Sequence, residues 1–425
     1  MTRATTINSE KFLAGTKKPS FSSSFARWLV HRRLRGLRND RLVIVEGDQR
    51  WEFGDITGNA EIVARIIVHD PRSYAEVAFG GTIGSGEAYM KGYWTTDDLT
   101  AVMRVLLRNR ELLNSMETGL ARITEPAHKF FHRFNRNSKN GSRRNIAAHY
   151  DLGNDFFRLW LDESLMYSAA VFDEPTMTLE EASRAKLKLI CDKLELSPED
   201  HLLEIGTGWG GLAVYAAQNY GCQVTTTTIS AEQHGHASDR VREEGLEDRV
   251  TVLLEDYRDL EGRYSKLVSV EMLEAIGHEF VDTYFRKCSE LLEPDGLMLL
   301  QTITIADDQY ERAKRSVDFI QRYIFPGGSL SSVSVLENAV ARNTDMRPHH
   351  LQNIGVDYAI TLQHWRERLF AKLAEVRELG YPDEFIRMWD FYFCYCEGGF
   401  MERAIGDIQL LLAKPNSQPR FEPCP

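Results

Sequence analysis

From residue 146 onward the chain alternates short apolar runs with longer amphipathic stretches. Runs at 201–206, 223–230, 249–255, 266–272 and 297–305 have strand length, and the intervening segments 210–219, 231–245 and 279–292 repeat apolar residues at helical spacing. Regular strand–helix alternation predicts an α/β domain built on a parallel, doubly wound sheet. Thr178 and Glu181 predict a capping box opening a helix over 179–195, whose Ala182, Leu187, Ile190 and Leu194 face one way. Residues 306–350 break the alternation and read as a helical insertion, and helices are expected at 361–379 and 384–404.

The first part of the chain reads differently. RLVIVEG and ARIIVHD are strand-like, the Gly- and aromatic-rich SYAEVAFGGTIGSGEAYMKGYW follows, and a helix is expected over Leu99 to Leu113, so a smaller α+β domain is predicted. Ahead of it, FARWLVHRRLRGLR (25–38) spaces Phe25, Trp28, Leu29, Leu34 and Leu37 at helical intervals, with Arg32, Arg33, Arg35 and Arg38 opposite. Such a helix suits a membrane surface and equally a domain core. In 128–145 aromatics alternate with Lys, Arg and His, a basic linker able to grip phosphates. The expected organisation is a disordered tail 1–24, an α+β domain 25–127, the linker 128–145, an α/β domain 146–412 and a loose tail 413–425.

Charge adds to this picture. The net −11 hides an asymmetry: residues 1–150 hold 24 Lys and Arg against 15 Asp and Glu, so the remainder carries −20. A basic front half on an acidic body suggests a polyanionic partner, nucleic acid or an anionic membrane face. No apolar run approaches the roughly 20 residues of a membrane span, and the polar N-terminus lacks a signal peptide's apolar centre. Cysteines 191, 222, 288, 394, 396 and 424 follow no metal or disulfide spacing, which fits a reducing, cytoplasmic setting.

The candidate chemistry centres on HLLEIGTGWGGLA (201–213): a strand, an acid at Glu204, then Gly206, Gly208, Gly210 and Gly211 opening a helix. Glycines there permit a sharp turn and close ligand approach. The spacing fits the dinucleotide fingerprint G-x-G-x-x-G, the acid-x-G-x-G loop of S-adenosylmethionine (SAM) methyltransferases, and a purely structural turn. Glu204 lies two residues before Gly206, Trp209 is bulky where a pyrophosphate needs bare backbone, and QVTTTTIS (223–230) lacks the terminal acid that would hold an NAD ribose. These three details favour SAM.

AAHYDLGNDFFRLWLDESLMYSAAVF (147–172), LLEIGTGWGGLA, TISAEQ (228–233), LLEDYRDL (253–260), SVEMLEAIGHE (269–279), YIFPGG (323–328) and GVDYAITLQHWRERL (355–369) stand in order. Together they resemble the family of cyclopropane-fatty-acyl-phospholipid synthases and mycolic acid cyclopropane synthases, over roughly 146–410. Residues 76–108 resemble the amino-terminal domain of the bacterial phospholipid enzymes.

The resemblance implies a Rossmann-like SAM methyltransferase domain and, as substrate, an unsaturated acyl chain in a phospholipid at an anionic membrane surface. It also implies a cytoplasmic protein bound peripherally to the inner face, and is compatible with a homodimer. An alkene needs no Ser, Cys or His nucleophile; the enzyme must align it, exclude water and stabilise a cation. The match assigns SAM contacts to Tyr167, Ser168, Glu204, Gly206, Gly208, Gly210, Thr228, Gln233, Asp256 and Tyr257. Gln233 would take the ribose hydroxyls, Asp256 the adenine amino group, and Tyr257 would stack on the ring. Thr228 with Gln233 also reads as an ordinary helix start.

In the family a bicarbonate ion, held by a Cys, a Glu, a His and a Tyr, serves as base. Glu274 and Tyr358 match the Glu and Tyr, whereas Ala169 and Gln301 stand at the Cys and His positions. The expected catalytic residues are thus Glu274, Tyr358 and Gln301, with a bicarbonate site lacking two of its side chains. Glu271 reads as a strand-end surface acid; if buried, it would repel bicarbonate or act as a base. The resemblance makes closure of the double bond to a cyclopropane the leading expectation; with no base over the new methyl, the product would instead be a methyl-branched or exomethylene chain. A nucleic-acid methyltransferase would want an N/D-P-P-Y/F motif or a Pro-Cys nucleophile. Neither occurs outside the tail pair Pro423–Cys424, so no nucleic-acid partner is expected. A non-catalytic lipid- or SAM-binding protein would keep the SAM segments and lose the base. His278, His349, His350 and Cys396 read as structural.

Overall fold

The computed structural model describes residues 21–111 and 153–420. The 128–145 linker and the first 20 residues of the expected tail lie outside the described residues. Two compact units result: one takes its residues from Met1–Phe134, Ser316–Ile324 and Leu362–Ala404, the other from Asn135–Arg315, Phe325–Thr361 and Ile405–Pro425.

The first unit holds a four-stranded sheet of β1 (Arg41–Glu46), β2 (Gln49–Gly54), β3 (Val63–Val68) and β4 (Trp94–Thr96), in the order β2-β1-β3-β4. Helix Phe21–Leu34 includes residues 21–24 that the sequence reading left in the tail. It packs through Ala26, Val30 and Leu34, one face at four-residue spacing, onto Leu42, Ile44 and Phe53. Phe25 and Trp28 point elsewhere and are 50% and 51% exposed, so the buried stripe is not the one that they were expected to share. The Gly-rich run forms helix Arg72–Met90, broken at Gly81, whose φ of 58° a side chain would resist. Ser316–Ile324 and Leu362–Ala404, which the sequence reading places within 146–412, belong to this unit. Tyr89 donates to Asp390 at 2.5 Å, and Arg366 donates to the same carboxylate at 2.6 Å.

The second unit is a seven-stranded sheet: β5 (His201–Ile205), β6 (Gln223–Thr227), β7 (Val250–Leu253), β8 (Tyr264–Val270), β9 (Leu292–Ile305), β10 (Arg347–Asn353) and β11 (Ile405–Ala413). The order is β10-β11-β9-β8-β5-β6-β7. β5 to β9 are mutually parallel, but β11 runs antiparallel to β9 and β10 antiparallel to β11, so the sheet is mixed instead of all-parallel. β11 starts opposite the end of β9, Ile405 facing Ile305, and can only run back along it. Successive strand residues serve opposite faces. Leu203, Ile205, Met298 and Leu300 pack under helices Val281–Leu291 and Val333–Asn343. Leu202, Val224, Leu299 and Leu411 pack under helices Leu179–Lys193 and Gly211–Tyr220. The capping box forms as the sequence predicts: Glu181 N–H donates to Thr178 Oγ1, and Thr178 N–H to Glu181 Oε2. β5 has β6 on one side and β8 on the other, so a crevice opens at its carboxyl end, where doubly wound folds bind ligands.

Candidate active site

Two segments enter that crevice: the glycine loop after β5 and the turn after β8. Gly206, Gly208 and Gly210 have φ of 106°, 53° and 81°. The loop is tied down where Gly206 and Thr207 N–H both donate to the Thr227 carbonyl at 3.0 Å. A Cβ on Gly206 would stand 3.2 Å from Met272 Cγ, which places the turn after β8 against the loop. A Cβ on Gly208 would meet nothing within 4 Å among the described residues. The open backbone there, beside a buried acid, fits SAM. Trp209 is buried and turned away from the loop; its indole N–H donates to Asn154 at 2.8 Å and its ring packs on Phe157.

Glu204 is buried and accepts a 2.6 Å bond from Thr226 on β6. Thr207 and Thr226 hydroxyls lie 2.7 Å apart; Thr226 has spent its proton on Glu204, so Thr207 is the donor. Burial pushes the Glu204 carboxyl up to about 8, opposed by Thr226 and by the charge on Lys186. The folded protein keeps a proton that the unfolded chain releases near 4.5. This group's stabilising contribution is therefore complete below that pH and is lost as pH rises toward about 8. Glu204→Gln is expected to flatten the decline in urea-unfolding stability over that range, by at most about 1.4 kcal/mol per pH unit. An unchanged slope would contradict a protonated Glu204.

Thr228 and Gln233 are brought together: the Thr228 hydroxyl donates to Gln233 Oε1 at 2.8 Å. The helix start itself is served by another residue, since Ser230 Oγ caps Ala231–Glu243 by accepting from Gln233 N–H. Asp256 lies beyond β7, with its carboxylate held by the Arg258 guanidinium at 2.6 and 2.7 Å. The Tyr257 ring is buried, edge-on to Tyr284 at 5.5 Å, in the core instead of open to a stacked base. Tyr167 lies among Phe157, Trp160 and Phe325, with ring centroids 5.4–6.0 Å away. Beside it, Ser168 Oγ accepts from Lys186 Nζ at 2.6 Å.

Glu271 departs from the sequence expectation of a surface acid. It follows the last residue of β8, and Val270 pairs with Gln301 of β9, so register puts it beside Gln301. Its carboxylate accepts three bonds, from Ala169 N–H at 2.9 Å, Gln301 Nε2 at 2.9 Å and Tyr358 OH at 2.6 Å. Its φ is 48°, a left-handed conformation that costs a side-chain-bearing residue about 1 kcal/mol or more. One turn on, Glu274 Oε1 accepts from Thr302 at 2.9 Å and from Ile303 N–H, while its buried Oε2 has no hydrogen-bond partner among the described residues. Burial and repulsion from Glu271 push Glu274 up to about 7.

The Gln301 amide is oriented by a row of side chains across three strands. Lys193 has only protons to give and donates to Gln409 Oε1 and Gln352 Oε1, both at 2.7 Å. Gln409 must then present its NH2 to Gln301 Oε1, at 3.1 Å. That leaves the Gln301 NH2 to donate to Glu271 and to Asp407 Oδ2 at 3.0 Å. Asp407, two residues before Gln409 on the same face of β11, is fully buried. Burial, then the charges of Glu271 and Glu274, drive it well above the carboxylate range. Burial raises Glu271 as well, opposed by Tyr358, Ala169 N–H, Lys186 and Gln301; with three donors on Glu271 and one on Asp407, the proton the cluster holds goes to Asp407.

Lys186, Lys193, Asp407 and Gln409 were missed from sequence. Lys186 is fully buried; burial pushes it down to about 8, opposed first by Glu271 and then by Asp162, Asp407 and Glu204. A signal existed: Lys186 falls midway between Ala182 and Ile190, on the stripe expected to be apolar.

Residues 137–410 match the family model for mycolic acid cyclopropane synthetase. The cyclopropane-fatty-acyl-phospholipid synthase of Escherichia coli K12 is 39% identical over 360 residues, covering 83% of this chain and 87% of the relative. The tuberculostearic acid methyltransferase UfaA1 of Mycobacterium tuberculosis is 36% identical, covering 82% of this chain and 83% of its own. Among solved structures, the cyclopropane synthase MmaA2 from Mycobacterium tuberculosis aligns with a TM-score of 0.59 at 32% identity, over 64% of this chain and 98% of that one. Mycolic acid cyclopropane synthase CmaA1, solved with S-adenosylhomocysteine (SAH) and CTAB, aligns equally well. The chain belongs to the mycolic acid cyclopropane synthetase family.

Proposed function

We propose that the protein is a SAM-dependent enzyme that adds a methyl carbon to the double bond of an unsaturated acyl chain in a membrane phospholipid and closes it to a cyclopropane. The observation that carries this reading is the abutment of the glycine loop on the Glu271–Glu274 turn, with Met272 between them. Related chains named for the same chemistry support it.

SAM, when bound, supplies an electrophilic methyl group. Glu204, Gly206, Gly208 and Gly210 would hold its amino-acid part, with Thr228, Gln233, Tyr167 and Ser168 around it and Asp256 at the adenine end. The remaining work falls to this chain's own residues. The Tyr167 ring, packed on Phe157, Trp160 and Phe325 and next in sequence to Ser168, would help exclude water and offer a ring face to a developing cation. Glu274 presents negative charge to it. Gln301 and Tyr358 act on the proton acceptor by holding it in place.

The substrate is met at an anionic membrane face, where the exposed pair Phe25 and Trp28, stacked at 5.9 Å with Arg32 over Trp28 at 5.2 Å, would insert. The protein would sit peripherally on the inner face; among the described residues no helix is long and apolar enough to cross a membrane. Phe25→Ser with Trp28→Ser is expected to weaken binding to anionic vesicles by about tenfold or more. Equal partitioning of variant and wild type would remove this helix from the docking surface.

Incubation with methyl-labelled SAM tests the function. Label is expected in unsaturated phospholipid vesicles; label in added nucleic acid, or no transfer despite SAM binding, would contradict it.

A further inference from the structure

Three groups converge on one point after β8: Ala169 N–H, the Gln301 amide and the Tyr358 hydroxyl. They are an anion's natural hosts, and they stand at three of the four positions where the family resemblance expects bicarbonate. Here each of them already donates to Glu271. A free bicarbonate would find these donors taken, with the carboxyl groups of Glu271, Glu274 and Asp407 clustered around it. The site does not fit the ion.

We propose that the Glu271 carboxylate is the proton acceptor of the reaction, a covalently attached replacement for bicarbonate. This rests on the reading above that a methyl carbon is added to a double bond. Addition leaves a cation on the neighbouring chain carbon. A C–H bond of the added methyl then breaks, and its electron pair forms the second ring bond to the cationic carbon. The proton passes to a Glu271 oxygen, giving a neutral carboxylic acid that returns it to water before the next turnover.

Two further features belong to the same device. The left-handed backbone at Glu271 is the kind of strain found where a side chain must be aimed, and the Glu271 N–H donates to the Gln301 carbonyl at 2.8 Å, locking the turn to β9. The row Lys193–Gln409–Gln301 fixes the Gln301 amide as a donor toward Glu271, a role that a histidine would otherwise fill.

The test uses the full-length protein in bicarbonate-depleted and bicarbonate-supplemented buffer, with unsaturated phospholipid vesicles and methyl-labelled SAM. The wild-type rate is expected to be the same within twofold in both. Glu271→Gln is expected to lower kcat by about 10²–10⁴-fold with SAM affinity preserved. Glu271→Gly suits the left-handed backbone and frees the three donors. It is expected to bind 13C-bicarbonate by NMR, which the wild type does not, and to regain rate when bicarbonate is added. A wild-type enzyme that binds or requires bicarbonate overturns the inference, as does a Glu271→Gln variant of unchanged rate. These outcomes differ from failure of the functional reading, in which the wild type labels no lipid in either buffer.

Discussion

Glu274→Gln is expected to lower kcat by about 10²–10³-fold while the SAM dissociation constant stays within a few-fold. One Glu274 oxygen is pinned by Thr302 and the Ile303 N–H, and the other is buried without a partner among the described residues. Such an atom costs stability unless something meets it, and a cation forming on a bound chain is a charge that would. The Gln variant keeps the size and the acceptor for Thr302 and removes the charge. Because the Glu274 carboxylate is held by Thr302 and Ile303 of β9 and not by the glycine loop, SAM binding should be spared. A variant with wild-type turnover would show that Glu274 faces no developing charge. Since Glu274 is pushed up to about 7, with Asp407 and Glu271 alongside, wild-type kcat should rise with pH through neutrality as the pocket sheds its proton.

The second large effect is on stability. Lys186→Met is expected to cost about 3 kcal/mol or more in urea unfolding, because it removes the buried cation whose charge offsets the carboxylates around it and leaves them buried without it. Lys186 Nζ reaches Ser168, and its charge is felt at Glu271 and Glu204. Without that cation Glu271 should take up a proton at higher pH, so the loss of activity at low pH should begin earlier. A change within about 0.5 kcal/mol would mean that Lys186 is already neutral in the folded protein.

What could be read from sequence was what local pattern encodes. The glycine loop, the Thr178–Glu181 cap and the parallel strands β5 to β9 each announce themselves within a dozen residues. β10 did not, because RPHHLQN is an edge strand with almost no apolar alternation. The antiparallel return of β11 depends on where Ile405 meets Ile305, a non-local choice. The same holds for the Glu271 cage. Ala169, Glu271, Gln301 and Tyr358 were each noticed, but only the register of β8 on β9 turns a strand-end acid into the guest of the other three. Lys186 and Lys193 are charged residues of a type that normally faces solvent, although helical spacing puts Lys186 on the buried stripe.

The most direct measurement is carbon-13 NMR of phospholipid recovered after incubation with SAM labelled in its methyl group. The account predicts one labelled carbon per converted acyl chain, carrying two hydrogens and bonded to both former alkene carbons. A labelled methyl or exomethylene group would contradict ring closure through Glu271. Acyl chains free of label, with SAM bound, would contradict the account as a whole.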